Sequence, residues 1–267
     1  MVKVVILGST GMLGNAVSRV FDNTDFTVIK SFRKKELANK EGSFYFDALT
    51  SSFKDIPECD YIINCIGIIK PYMKTNLSDN VYINSIFPHK LSNWCGTKGV
   101  KMIHITTDCV FSGNTGFYVE DSMHDCLDEY GKSKSLGEPS DCMVLRTSII
   151  GEEIHSFSSL ISWIKSQSGK EISGYTNHLW NGMTTTQYGK CCIEIIEKGL
   201  YEKGLFHLHS DDVSKFQLVT MIVDSLDLDI KIKPVVVKIP CNRALRSNKE
   251  LNSKLRIDNI KKQLELK

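Results

Sequence analysis

Residues 2–7, Val-Lys-Val-Val-Ile-Leu, run directly into Gly8-Ser-Thr-Gly11-Met-Leu-Gly14, and no other stretch limits the fold as tightly. A nearly continuous run of β-branched and aliphatic residues suits a central parallel strand covered on both faces. Leu13, Val17 and Val20 or Phe21 then mark the inner face of a helix reaching about Asp22. Strand, glycine turn and helix in that order are the setting in which a glycine motif holds a dinucleotide. Gly8 permits the tight turn, Gly11 lets backbone approach a pyrophosphate, and Gly14 lets the helix pack closely. The helix start then offers unsatisfied N–H groups and its positive dipole end to the anion. The expected fold is α/β, a Rossmann-type doubly wound parallel sheet, with Gly8, Ser9, Thr10, Gly11, Met12, Leu13 and Gly14 around the cofactor.

The alternation continues down the chain. A second strand, Phe26–Lys30, ends in Ser31-Phe-Arg33-Lys34, where an NAD enzyme would carry Asp or Glu for the ribose. That carboxylate is absent, and Ser31, Arg33 and Lys34 could hold a 2′-phosphate, so NADP(H) is expected over NAD(H). A third strand, Phe44–Phe46, delivers Asp47 towards the adenine amino group. A fourth, Tyr61–Ile66, runs through Cys65 and Ile66 into Gly67, a second place where backbone must lie against cofactor. A helical stretch over about 76–97 carries Asn84, grouped with the cofactor residues, and Pro88, which predicts a kink or a local start.

The fifth strand, Lys101–Ile105, ends in Thr106-Thr107-Asp108-Cys109, at the sheet edge where doubly wound folds bind ligands. Tyr130 and Lys134 follow. Four residues is slightly more than one helical turn, so phenol and ammonium share a face, and the ammonium is expected to lower the phenol's pKa. The strand 142–148 comes next. Beyond residue 150 the alternation loosens, with helical patterns at 156–167, 186–198 and 214–226 and strand-like 205–209 and 234–237. Residues 1–150 are expected to form the NADP-binding domain with the Thr/Tyr/Lys set, and 151–267 mainly a smaller substrate-binding lobe.

Net charge is +2 with both signs mixed along the chain, which leaves no electrostatic footprint for nucleic acid or an anionic membrane. No apolar run approaches membrane-spanning length, and the chain starts on a strand pattern, so a cytoplasmic protein is expected. Nine cysteines, none spaced Cys-x-x-Cys and several inside apolar patterns, read as small buried hydrophobes rather than disulfides. No metal site is expected.

Gly8-x-x-Gly11-x-x-Gly14, Thr106-Thr107-Asp108-Cys-Val-Phe-Ser-Gly113, Tyr130-Gly-Lys-Ser-Lys134-Ser-Leu-Gly-Glu138 and Val144-Leu-Arg-Thr-Ser148 occur in order and at the proper spacings. Together they resemble the dTDP-4-dehydrorhamnose reductase family of extended short-chain dehydrogenase/reductases. The resemblance is firm over residues 1–150 and looser through Asn177-His-Leu-Trp-Asn-Gly182 and Asn242-Arg-Ala-Leu-Arg246. It implies NADPH-dependent reduction of the C4 ketone of a nucleotide sugar, UDP- or dTDP-linked, with Tyr130 as proton donor, Thr107 on the same oxygen, and Lys134 on tyrosine and ribose. Asp108, Asn177, Trp180 and Arg243 join Thr107 on the substrate side. Cys109 stands where those reductases usually have tyrosine. In the similar GDP-4-keto-6-deoxymannose epimerase/reductases a cysteine here and a lobe histidine epimerise the sugar, which makes Cys109 and His178 candidates for C3 epimerisation. One branch of the family partners methionine adenosyltransferase, so a non-catalytic NADP-binding regulatory subunit is the alternative. A homodimer is left open.

Overall fold

The computed structural model describes residues 1–153 and 159–265. Its centre is a parallel sheet of β1 (Lys3–Leu7), β2 (Thr27–Phe32), β3 (Ser43–Tyr45), β4 (Tyr61–Asn64), β5 (Lys101–Thr107), β6 (Met143–Thr147) and a seventh strand, Gly204–His207. In space the order is β3-β2-β1-β4-β5-β6, then Gly204–His207. β1 therefore pairs with both β2 and β4, and the order reverses there, which opens a crevice beyond the carboxyl ends of the strands.

Strand side chains alternate between two cores. Val4, Ile6, Ile63, Ile103 and Leu145 face the helices Met12–Phe21 and Thr185–Glu197, meeting Val17, Phe21, Tyr188 and Ile195. Val5, Leu7, Ile62, Met102 and Val144 face the other way, against Phe46, Phe87 and Leu91. Because both faces are covered, β1 reads as an apolar run rather than an alternating one.

Several boundaries move for identifiable reasons. β2 extends to Phe32, so Ser31 lies inside the strand and is buried. β4 stops at Asn64, short of Ile66, because the Asn64 side-chain oxygen itself accepts the Ile66 N–H at 3.1 Å. The helical stretch over 76–97 is three pieces: Leu77–Val81, a π-helical turn Tyr82–Ile86, and Phe87–Lys98. Pro88 has no N–H to give the carbonyl four residues back, that of Asn84, so the ladder loosens in the turn before it.

The second half has its own core of Ile161, Ile164, Ile172, Trp180, Leu218 and Ile222. The strands Glu171–Tyr175 and Lys231–Val235 pair in parallel, and a separate three-stranded sheet joins Val213–Ser214, His178–Trp180 and Cys241–Asn242. The helix expected over 156–167 is Leu160–Lys165, capped by Ser159, while 156–158 lie outside the described residues. Two stretches from beyond residue 150 return to the main layers. Gly204–His207 completes the sheet, and Thr185–Glu197 packs on Met12–Phe21 so closely that a Cβ at Gly189 would lie 3.3 Å from Val17 Cα. The chain therefore crosses more than once between the two halves. Among the described residues no helix is long and apolar enough to cross a membrane, and no three metal-ligating side chains cluster.

Candidate active site

The turn after β1 is shaped by its glycines in different ways. Gly8 has φ +82°, a conformation that L side chains rarely adopt. A Cβ on Gly14 would lie 2.2 Å from Gly8 O, so Gly14 lets the helix sit down on the turn. Gly11 is different: its nearest neighbour is Gly8 O at 3.4 Å, and as N-cap it gives the helix no side-chain hydrogen bond. The first N–H groups of a ten-residue helix thus face open space above a glycine, which fits a pyrophosphate. Ser9 braces the turn instead, its buried hydroxyl donating to Ile6 O at 3.1 Å.

Two cavities follow the crevice. One, of about 150 Å³, is lined by Gly8, Thr10, Ser31, Arg33, Phe46 and Asp47. The other, of about 290 Å³, is lined by Met12, Leu13, Thr107, Cys109, Tyr130 and Lys134 among others. Gly11, Cys65, Ile66 and Gly67 border both. Of the expected cofactor contacts, Lys34 and Asn84 are placed otherwise and Ser31 has a second role. Lys34, at the N-cap position of the short helix Lys35–Ala38, is exposed and lines neither cavity. Ser31 Oγ accepts the Gly8 N–H at 2.9 Å, so it holds the turn as well as lining the cavity. Asn84 is fully buried: its Oδ1 accepts the Ile68 N–H at 2.8 Å, and its Nδ2 donates to Ile68 O at 3.0 Å and Ser133 Oγ at 3.1 Å. A larger cavity, about 830 Å³, lies at the opposite edge around Trp94 and Lys101 and contains none of these groups.

The helix Glu129–Ser135 carries Tyr130 and Lys134. Asp128 caps it, Oδ1 accepting the Gly131 N–H at 3.0 Å while Oδ2 pairs with Lys70 at 2.9 Å. Gly131 allows the helix to rest on the turn Asp108–Val110, since a Cβ would lie 2.5 Å from Cys109 O. This brings the Thr107 hydroxyl within hydrogen-bonding reach of the Tyr130 phenol. Thr107 Oγ1 also donates to Asp108 Oδ1 and accepts the Cys109 N–H, both at 3.2 Å. Lys134 Nζ lies over Gly67, where a Cβ would approach it to 2.9 Å. Burial pushes Lys134 down to about 8, partly opposed by the Glu138 carboxylate.

Burial also decides the tyrosine, in the direction opposite to the one expected from its lysine. The packing around Tyr130 pushes the phenol above its ordinary range, Cys109 adds to the rise, and the Thr107 hydrogen bond only partly opposes it. The phenol therefore keeps its proton at neutral pH, as a proton donor requires. Burial and the Asp108 charge likewise push the Cys109 thiol up to about 12.

Behind the helix lies a buried ionic network that no sequence motif announced. Arg146, fully buried, donates from Nε and Nη2 to Glu138 at 3.1 and 2.6 Å. It also donates to His207 Nε2 at 2.8 Å and His124 Nε2 at 2.6 Å. Arginine is always a donor, so both Nε2 atoms must be acceptors and both rings neutral. Their Nδ1–H groups then donate to Arg246 O at 2.7 Å and Ser135 Oγ at 2.6 Å. Burial and the guanidinium hold both histidines below their usual range, His207 at about 4.

On the substrate side the sequence expectations divide. Asp108 is buried against Thr107, and Arg243 donates from Nε to Phe111 O at 2.9 Å, just past the same turn. Asn177 is occupied by backbone, bonded to Val237 O at 2.7 Å and Val237 N at 3.1 Å. Trp180 is buried beneath Lys215, whose Nζ lies 5.3 Å from the ring centre, so it presents no open platform. His178 does not line the cavity holding Tyr130; its ring packs on Tyr175 and its Nε2 lies 3.2 Å from Ile239 O. Lys215, the first residue of the helix Lys215–Ser225, also stands near Asp108 and Cys109.

Glycine turn, Thr107, Tyr130 and Lys134 at the carboxyl edge of a doubly wound sheet define an extended short-chain dehydrogenase/reductase. The chain belongs to the RmlD substrate binding domain family, whose sequence model matches residues 2–267. It is similar to a probable low-salt glycan biosynthesis reductase, Agl14, of Haloferax volcanii, at 25% identity over 222 residues, 77% of this chain and 73% of the relative. It is also similar to methionine adenosyltransferase 2 subunit beta of Xenopus tropicalis, at 24% over 248 residues, 85% of this chain and 72% of the relative. Among solved structures, dTDP-4-dehydrorhamnose reductase from Bacillus anthracis in complex with NADP superposes with a TM-score of 0.75 at 19% identity, covering 99% of this chain and 98% of that one.

Proposed function

We propose that the protein is an NADPH-dependent reductase of the C4 ketone of a nucleotide-linked 4-keto-6-deoxyhexose or 2-acetamido-2,6-dideoxyhexose, with UDP as the favoured nucleotide and dTDP the alternative. One observation carries the reading: the protonated Tyr130 phenol meets the Thr107 hydroxyl in a cavity floored by Gly67 and Lys134. The NADP-bound Bacillus anthracis relative and the reductase Agl14 support it.

The open cradle at Gly11 suits a dinucleotide pyrophosphate, and Ser31 and Arg33 suit a 2′-phosphate at the far end of the crevice. The hydride for C4 of the sugar would come from NADPH bound there. As negative charge grows on the ketone oxygen, Tyr130 gives up its proton and Thr107 donates a hydrogen bond, turning from Asp108 to the oxygen. Lys134, held over Gly67, would stabilise the tyrosinate left behind and would hold the nicotinamide ribose. Protein incubated with NADPH and the 4-keto sugar made by a 4,6-dehydratase should oxidise the cofactor, and no consumption with either the UDP or the dTDP compound overturns the reading.

Two further expectations follow from named groups. Arg33→Ala should weaken NADPH binding by about tenfold while sparing NADH, since one charged phosphate contact is lost; equal losses for both cofactors would show that Arg33 does not read the 2′-phosphate. Lys134 loses its proton as pH rises through about 8. Because kcat/KM reports the free enzyme, it should fall above that pH, and a profile flat from neutral to strongly alkaline pH would contradict the assignment.

C3 epimerisation before reduction is the finer part of the proposal. Cys109 stands beside Tyr130 and is held protonated, as an acid should be, whereas His178 is turned to Tyr175. Epimerisation places solvent deuterium at C3 of the product, and Cys109→Ser should remove it; product without C3 deuterium leaves a simple reductase. The second reading, a non-catalytic NADP-binding subunit, draws on the similarity to methionine adenosyltransferase 2 subunit beta. It predicts a stable hetero-complex on purification and no NADPH turnover with any nucleotide sugar.

A further inference from the structure

His124 stands between the helix Glu129–Ser135 and the buried ionic network, and no step of the proposed reaction uses it. Its ring is held on both nitrogens: Nδ1–H donates to Ser135 Oγ at 2.6 Å, and Nε2 accepts from Arg146 Nη2 at 2.6 Å. Ser135 is the last residue of the helix and follows Lys134 directly, so the ring holds the turn that carries the ammonium. Arg146 gives that turn a fixed point. It is fully buried, bonded to Glu138 through Nε and Nη2 and to His207 through Nη1. His207 is itself fixed, its N–H donating to Glu120 Oε1 at 2.9 Å, an oxygen that also accepts the Ser247 hydroxyl. One imidazole thus ties the last turn of the helix to β6, to the seventh strand and to a segment of the second half.

The tie exists in one protonation state only. Arg146 Nη2 has two hydrogens, one given to Glu138 Oε2 and the other to His124 Nε2. A protonated ring has no lone pair to accept the second, which would be orphaned in a buried site beside an imidazolium. The new N–H would face Glu138 Oε2 at 3.7 Å, an oxygen that already holds Arg146. Asp125 is the other anion near the ring, and it is engaged by the Ser112 N–H and hydroxyl; the Phe111 ring meets the imidazole edge-on. Burial and the Arg146 charge outweigh Glu138 and Asp125, so the fold favours the neutral ring. The His124 side chain is nonetheless 24% exposed, and solvent protons reach it. His89, on the helix Phe87–Lys98, also touches this end, but its Nε2–H donates to Leu136 O in either charge state and releases nothing. We propose that His124 is a positioning residue: its neutral ring fastens the Lys134 turn to Arg146, and its protonation unfastens that turn, giving the enzyme an acid limit. The reacting groups supply no such limit, because Tyr130 is pushed above its ordinary range and Lys134 and Cys109 lie at about 8 and about 12. The consequence for turnover rests on the reductase reading above.

One readout needs neither substrate nor cofactor. Hydrogen exchange of the amides of residues 132–137, corrected for its intrinsic pH dependence and referred to β1, is compared at about pH 7 and about pH 5. The chains are wild type, His124→Gln, which offers Arg146 an acceptor that does not titrate, and Ser135→Ala, in which the ring titrates but is cut off from the helix. Wild-type protection should fall by about 10- to 100-fold between the two pH values, as expected for one charge-assisted hydrogen bond, while both variants keep one value throughout. Unchanged wild-type protection overturns the proposal, and so does an equal fall in His124→Gln, which would assign the release to another group. If His124→Gln fails to fold, Ser135→Ala carries the same comparison. With saturating NADPH, kcat/KM for the keto sugar should fall below the usual histidine range in the wild type and stay level in His124→Gln, which a merely structural role would not predict; the same acid limb in both overturns the assignment. Absence of turnover in every chain overturns the reductase reading, and the exchange comparison still decides the role of His124.

Discussion

Tyr130→Phe is expected to lower kcat by about 10²- to 10⁴-fold, the usual contribution of a positioned general acid, while NADPH affinity stays close to wild type. The phenol meets Thr107 and keeps its proton at neutral pH, as delivery to a developing alkoxide requires. The substitution keeps the ring and removes only the hydroxyl, so the packing of the helix Glu129–Ser135 on the Asp108–Val110 turn is retained. Turnover near the wild-type rate would mean that another group, Cys109 first, supplies the proton.

Arg146→Met should destabilise the fold by about 3–5 kcal/mol, measured by urea denaturation. The deletion strands the Glu138 carboxylate and the Nε2 acceptors of His124 and His207, all facing a guanidinium with no solvent exposure. Glu138→Gln in the same chain should recover part of the loss, because the uncompensated charge is its largest share. The histidines add a pH signature. Their folded pKa values lie below the usual 6.5, so below that pH the unfolded chain takes up protons that the folded chain refuses. The stability that neutral His207 contributes is complete above about 6.5 and is lost as pH falls towards about 4. A stability curve flat across that interval would show that the rings are not held neutral.

Sequence reading reached the glycine turn, the first six strands and the Thr107, Tyr130, Lys134 set, because each is local. A doubly buried strand is written as a run of apolar residues, and Tyr130 with Lys134 is one helical turn. It failed where the answer depends on residues far apart. Whether a lysine lowers its tyrosine or burial raises it depends on what packs around the ring, and Cys109, Asp108 and the helix come from different segments. Asn177 looked available until Val237 took both ends of its amide. Arg146 sat in a recognised strand motif, yet its partners His124, Glu138 and His207 are scattered over the chain.

The seventh strand has a consequence for synthesis. β6 is finished at Thr147, but its outer neighbour, Gly204–His207, is made much later. At roughly 5–20 residues per second a ribosome leaves the outer edge of β6 unpaired for on the order of 3 to 12 s. An unpaired, apolar strand edge is a template for pairing with another chain. The nascent protein therefore carries its greatest aggregation hazard after its first six strands are complete, and a chaperone or a slow codon run would act most usefully in that interval.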